Sequence, residues 1–340
     1  MRKKIASIFR ILAFLSIGLF FIWLFVKDFS TEQKNEIFES LKAADYKWVL
    51  YSIVLGIISH ASRTYRWKMM LESLGYKPRF KNVFLAVFIN YFANLALPRL
   101  GEMMRCGVLT RYEDIPFNKS FGTVITERAI DLLIFVLMFV FITFAYFSRL
   151  YGYIDQKVLS PLGDKFAFFS KTSNILILIA ILLTVFLLFS FVFKEKLDNT
   201  RMVKKIKNLV SGFWDGIMSI FKLKKPGLFF FHTAVIWGMY WGMTWIVFPS
   251  MSITSDLGGD TALVVLTLGA IGMMVVQGGI GIYPAIVAET LSLYLIPEIE
   301  GYAMGWILWS GQTLMIIIMG IISIALLPLL NEKKVVYENI

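Results

Sequence analysis

The chain has 340 residues and a mass of 39.0 kDa, with 58% hydrophobic residues, 17% charged residues and a mean hydropathy of +0.70. Ordinary globular domains carry about 25% charged and roughly 45–50% apolar residues, so a soluble multidomain enzyme and a disordered protein are both excluded. The formal charge is +11, which in so apolar a chain points to cytoplasmic loops rather than to nucleic acid.

In chain order the apolar runs are Ile8–Val26, Trp48–His60, Val83–Leu97, Ile130–Phe147, Ile175–Phe193, Leu228–Phe248, Thr261–Val276, Ala285–Ile296 and Tyr302–Leu329. Several approach or reach the ~20 residues that cross a bilayer core. The first is too long for a cleavable signal peptide, and no small-residue cleavage site precedes Lys27. Arg2, Lys3, Lys4 and Arg10 lie at its start with no acid among them, which predicts a cytoplasmic N-terminus.

The loops sort by charge. Residues 63–81 hold six Lys and Arg against one acid, residues 98–128 hold five, residues 194–226 hold nine and the C-terminal tail holds two. Segments 249–260 and 297–301 hold none. With the rich segments inside, 26 of the 34 basic residues are cytoplasmic, which is the positive-inside signature.

That assignment constrains the topology. Segments 63–81 and 98–128 both belong inside, yet Val83–Leu97 lies between them. Segments 249–260 and 297–301 both belong outside, yet Thr261–Ile296 lies between them. Each intervening element is therefore expected to enter and leave on one side, or to consist of short broken helices. Leu97-Pro98-Arg99-Leu100-Gly101-Glu102 supplies one break and Gln277-Gly278-Gly279-Ile280-Gly281-Ile282-Tyr283-Pro284 the other, because Pro removes a backbone donor and Gly relaxes the chain. Residues 261–296 read equally as a re-entrant hairpin or as two short spans. The order span, break, span recurs at an offset of about 170–180 residues. Interrupted helices at matching positions of inverted halves point to a transport site near the midplane; coincidence is the competing reading.

The fold class is thus all-α and polytopic. It has about six full spans plus two re-entrant or broken elements, about eight hydrophobic segments in all. Residues 1–330 are read as one transmembrane domain and 331–340 as a short cytoplasmic tail.

Charged residues beside the breaks carry the functional reading. Arg63, Arg66 and Trp67 follow the second run and are expected to anchor it at the interface, with Arg snorkelling and Trp at headgroup level. Asn90, Asn94 and Pro98 recur every four residues and share one helical face. Arg99, Glu102 and Arg105 follow every three residues and suit an anionic headgroup; a solvated loop ion pair is the plainer alternative. In Thr126-Glu127-Arg128-Ala129-Ile130-Asp131, the acid Asp131 lies within an apolar stretch, where an ionisable group needs a partner. Arg128 at i−3 is the expected partner, with Arg99 or Arg105 supplying a second cation. A structural ion pair is the alternative there.

Other signals are weaker. Gly278-Gly279-x-Gly281 resembles a phosphate-cradling loop, but no strand precedes it. Glu289 is a candidate ion-linked acid and Gln312 an interhelical hydrogen bonder. Residues 202–221 have the pattern of an amphipathic helix on the inner surface. Cys106 is the single cysteine, so no intrachain disulfide forms, and His60 and His232 lack metal-ligand spacing. No metal site and no cofactor are expected.

Four motifs in this order resemble one family: Arg63-x-x-Arg66-Trp67; Asn94-x-x-x-Pro98-Arg99-x-Gly101-Glu102-x-x-Arg105; Thr126-Glu127-Arg128-x-x-Asp131-Leu132; and Gly278-Gly279-Ile280-Gly281. The chain is similar over roughly residues 5–330 to the flippase-like family, the transmembrane domain of lysylphosphatidylglycerol synthases and its stand-alone relatives. The resemblance implies a polytopic helical bundle with re-entrant elements that binds or translocates a lipid with a charged headgroup. It places Asn94, Arg99, Glu102, Arg105, Glu127, Arg128 and Asp131 at a substrate site, with Gln277, Gly278, Gly279 and Gly281 at the opposing break. Gln277 and Tyr283-Pro284 depart from the family pattern, which has Pro-Gly-Gly and a nearby Glu. The last apolar run ends shortly before Ile340, so a form without the aminoacyl-transfer domain is expected.

The leading expectation is a lipid transporter of a bacterial-type cytoplasmic membrane with both termini inside. It would act on a membrane phospholipid or other charged lipid, without nucleic acid and without catalysis. An intramembrane transferase acting on a lipid-linked substrate and a non-catalytic lipid-binding scaffold are the alternatives.

Overall fold

The computed structural model describes residues 19–20, 22–27, 29–97, 99–146 and 223–331. The first part of the run Ile8–Val26, all of Ile175–Phe193, the amphipathic stretch 202–221, Pro98 itself and the tail after Asn331 lie outside these residues. The chain divides into two compact units. One comprises residues 1–139 and 219–340; the other comprises 140–218, whose described residues 140–146 are helical through Ala145.

All regular structure among the described residues is helical: α1 (Thr31–Ala43), α2 (Lys47–Ser73), α3 (Phe80–Ala96), α4 (Leu100–Glu113), α5 (Phe117–Ala145), α6 (Pro226–Trp245), α7 (Gly259–Val275), α8 (Ile282–Ser292) and α9 (Glu298–Leu329), with short 3₁₀ turns at Phe248–Ser250, Ser252–Thr254 and Gln277–Gly279. Among the described residues two helices, α5 and α9, are long and apolar enough to cross a membrane, while α3 and α7 are apolar but shorter, at 17 residues each.

Small polar side chains set the closest helix pairing. Along α2, Ser52, Ser59 and Ser62 donate to the carbonyls of Met243, Ile236 and His232 on α6, at 3.0, 3.4 and 3.2 Å. Short side chains let two backbones approach, and their hydroxyls find acceptors in helix carbonyls where an apolar medium offers none. Helix α3 packs against α2, α4 and α9, and α8 packs against α7 and α9.

Both expected breaks are present. Helix α3 ends at Ala96 and α4 begins at Leu100, with Arg99 left-handed at φ 61° as the turning residue. The Asn94 side chain closes this turn: its carbonyl accepts from the Gly101 amide at 2.8 Å, and its amide donates to Glu102 at 3.2 and 3.3 Å. A Cβ on Gly101 would lie 1.9 Å from the Asn90 carbonyl oxygen, so only glycine permits α4 to fold back this tightly. At the second break Gly278, Gly279 and Gly281 all have positive φ, a region L side chains avoid. The Trp309 indole of α9 donates to the Gly278 carbonyl at 2.6 Å. Helix α3 packs on this turn, so the two interruptions come together.

Two boundaries differ from expectation. The run Trp48–His60 belongs to one helix that continues to Ser73, and the stretch 98–128 is mostly helical, not an extended cytoplasmic loop. Charge along these stretches suggested loops, but Arg63, Arg66, Arg105 and Glu127 are buried, and partners on neighbouring helices neutralise them.

Candidate functional site

The charged interior is assembled from α2, α4 and α5. On α2, His60, Arg63 and Arg66 recur at three-residue spacing and Trp67 follows; all four are buried. On α5, Thr123, Glu127 and Asp131 recur at four-residue spacing and meet that stripe. Arg63 Nη1 donates to Glu127 Oε1 at 2.6 Å and to Asp131 Oδ2 at 2.7 Å. Arg66 Nη2 donates to Asp131 Oδ1 at 2.8 Å, and its Nη1 to the Thr233 hydroxyl of α6 at 3.3 Å. From α4, Arg105 Nη2 donates to Glu127 Oε2 at 3.1 Å. The Arg105 guanidinium lies 4.4 Å from the centre of the Trp67 ring, whose indole donates to Thr123 at 2.9 Å.

Every oxygen of Glu127 and Asp131 is thereby engaged by an arginine. Removing an ion from water costs several kcal/mol, and only well-placed partners offset it. The planar guanidinium suits the task because it serves two carboxylates at once.

Beside this network lies a cavity of about 470 Å³. Arg63, Arg128 and Asp131 face it from one side, with His60 and Tyr91 near them. Trp237 and Tyr240 of α6, Tyr283 of α8, Trp309 and Gln312 of α9, and methionines 243, 273, 274 and 315 complete much of the wall. Tyr240 accepts from Arg63 Nη2 at 3.3 Å.

Placement of the sequence-derived candidates is uneven. Of the expected substrate residues, Arg128 and Asp131 line the cavity. Glu127 and Arg105 stand behind it, and Asn94 and Glu102 fasten the first break. Arg99 is exposed at the turn and does not line the cavity, because its left-handed backbone is the bend itself. Gln277, Gly278, Gly279 and Gly281 lie at the second turn, and the three glycines do not line the cavity.

The interface-anchor expectation for Arg63, Arg66 and Trp67 is corrected: the three are at most 2% exposed, drawn inside by Glu127, Asp131 and Thr123. The expected Arg128–Asp131 pair is also replaced. Asp131 turns to α2, while Arg128 Nε lies 3.6 Å from Glu102 Oε1 across on α4. His60, Tyr91, Trp237, Tyr240 and Trp309 line the cavity and were missed. His60, three residues before Arg63, was the one with a readable signal.

Among the described residues the fold is an all-α bundle in which interrupted helices surround a cavity with a buried ionic wall. Comparison with known proteins narrows the class. A profile described as the lysylphosphatidylglycerol synthase TM region matches residues 10–331, and the chain belongs to that family. It is 26% identical over 278 residues to a UPF0104 membrane protein of Methanocaldococcus jannaschii, covering 77% of this chain and 80% of that one. A second UPF0104 membrane protein, from Methanothermobacter thermautotrophicus, is 27% identical over 107 residues, 31% of this chain and 32% of that one. The glycosyltransferase AglD of Haloferax volcanii is 31% identical over 100 residues, 29% of this chain and 16% of AglD. No solved structure matches. These relatives are archaeal, so the expectation of a bacterial-type membrane gains nothing from them; membership in a family of membrane proteins stands.

Proposed function

We propose that the chain binds a lipid with a charged, phosphate-bearing headgroup in the cavity and carries it between leaflets. The observation that carries this reading is the cavity itself, walled by aromatic and methionine side chains but edged on one side by Arg63, Arg128 and Asp131. Acyl chains match the first surface, and an oxyanion matches the second.

The same reading takes the fold as about six full spans plus two broken elements within one transmembrane domain of residues 1–330. At 17 residues, α3 and α7 reach only ~25 Å, short of the ~30 Å hydrocarbon core. Each stops at a break and is followed by a shorter helix, of 14 residues in α4 and 11 in α8. The sequence α2–α3–α4–α5 is thus paralleled by α6–α7–α8–α9, as an inverted repeat requires. The distribution of Lys and Arg supports cytoplasmic termini.

The test is headgroup-dependent lipid movement in proteoliposomes. Arg128→Ala is expected to abolish it while the protein still inserts; wild-type movement in that variant would overturn the assignment of this site.

A transferase acting on a lipid-linked substrate is the second reading, favoured by the local similarity to a glycosyltransferase. It needs a carboxylate able to take a proton. Asp131 faces the cavity, but both of its oxygens are engaged by Arg63 and Arg66. Product formation by purified protein with a lipid-linked sugar donor, lost in Asp131→Asn, would favour this reading over transport.

A further inference from the structure

The charged groups at the cavity do not balance. Four arginines, Arg63, Arg66, Arg105 and Arg128, face three carboxylates, Glu102, Glu127 and Asp131, among the described residues. The excess is one positive charge.

Arg66 and Arg105 also keep unpaired buried donors, Nε on the first and Nε and Nη1 on the second, but of the four arginines only Arg63 and Arg128 line the cavity, and of these two Arg128 has two such atoms. Its Nε and Nη2 atoms are buried and have no hydrogen-bond partner. These two atoms form the side-on edge of the guanidinium, the pair that binds two oxygens of one phosphate or carboxylate in parallel. Glu102 lies opposite at 3.6 Å, beyond hydrogen-bond reach. Its carboxylate is held instead by the Asn94 amide. Nearby, the Nε of Arg63 and the Nδ1 of the buried His60 also lack partners and belong to side chains lining the same cavity. An unpaired donor edge beside an uncompensated charge costs free energy, which an arriving oxyanion recovers.

We infer that the cavity selects a singly charged phosphodiester headgroup, which docks on the Nε–Nη2 edge of Arg128 in competition with Glu102. This rests on the reading of the cavity as a lipid site and names the substrate class. One negative charge neutralises the wall. A phosphomonoester brings about −1.5 to −2 and leaves an excess anion beside Glu102. A headgroup bearing lysine brings ammonium groups to a wall that is already positive. Inorganic phosphate shares the oxyanion but lacks the chains that fill the apolar wall.

Detergent-purified full chain is titrated with short-chain phosphatidylglycerol, phosphatidic acid, phosphatidylcholine, lysyl-phosphatidylglycerol and inorganic phosphate, and thermal unfolding reports binding. Phosphatidylglycerol is expected to bind best, about tenfold or more ahead of the other lipids, with inorganic phosphate ineffective at the same concentration. Arg128→Lys keeps the charge but removes the fork, and is expected to weaken phosphatidylglycerol about tenfold. Glu102→Gln removes the competing carboxylate; it is expected to tighten phosphatidylglycerol severalfold and to bring phosphatidic acid level with it.

Equal affinity in Arg128→Lys, weaker binding in Glu102→Gln, or a preference for lysyl-phosphatidylglycerol would overturn the inference. Phosphate acting as well as the lipid would overturn the lipid assignment. A chain that binds with this preference yet moves nothing between leaflets would sink the transport reading alone. Transport that ignores headgroup charge would sink the selectivity alone.

Discussion

Between Ala96 and Leu100 the chain turns on an arginine and is fastened by side chains, Asn94 to Gly101 and Glu102, with Arg105 one turn further on in ion-pair contact with Glu127. Between Val275 and Ile282 it turns on three glycines and is fastened by one indole, Trp309, to a backbone carbonyl. The first interruption is thus wired to the ionic wall of the cavity, so its position depends on charge. The second depends on backbone freedom and close packing, and no charged contact to the wall is seen there among the described residues. Two interruptions that look alike in the sequence are thus held by different forces, one by charge and one by backbone freedom and packing.

The largest expected effect tests the electrostatic half. Glu127→Gln leaves Arg63 and Arg105 short of a buried counter-charge, and such losses cost about 3–5 kcal/mol. Thermal and denaturant unfolding of the purified protein should show a loss of that order, and a near-neutral variant would mean the network does not hold α4 in place.

Next comes the packing beneath the same break. Gly101→Ala forces a methyl group against the Asn90 carbonyl, where neither backbone can yield without moving α3 from α4; overpacking of this kind costs about 1–3 kcal/mol. Gly107→Ala, on the same helix with nothing within 4 Å of the new carbon, should cost nothing and gain up to about 1 kcal/mol in helix propensity. Equal unfolding midpoints for the two variants would contradict the close approach.

The smallest effect contrasts the turns directly. Gly278→Ala places a side chain at φ 70° and should cost about 1–2 kcal/mol. Arg99→Gly relieves the same strain at φ 61° and should be neutral or gain under about 1 kcal/mol. If Arg99→Gly were instead clearly destabilising in an unfolding titration, the arginine side chain would hold the first turn after all.

Both breaks were legible in the sequence because Pro and Gly act on their own backbone, and no distant residue is needed to read them. Among the described residues the apolar runs were legible for the same reason, although Trp48–His60 belongs to a longer helix. Asp131 announced itself as a buried acid in need of a cation. Its partner was misjudged, since the nearest arginine along the helix, Arg128, is not the nearest in space. Arg63 and Arg66 looked like interface anchors, because a basic pair beside a tryptophan at the end of an apolar run has that pattern whether it faces lipid headgroups or carboxylates.

What the amino-acid order determined alone was therefore local: which stretches are apolar helices, where they are interrupted, and that ionisable groups sit among them. Only the folded arrangement decided which charges meet. Arg63 and Asp131 are 68 residues apart in the chain, and their contact depends on how α2 and α5 rotate and cross. Hydropathy and backbone preference are properties of short segments, whereas charge pairing in a medium of low dielectric is a property of positions in space.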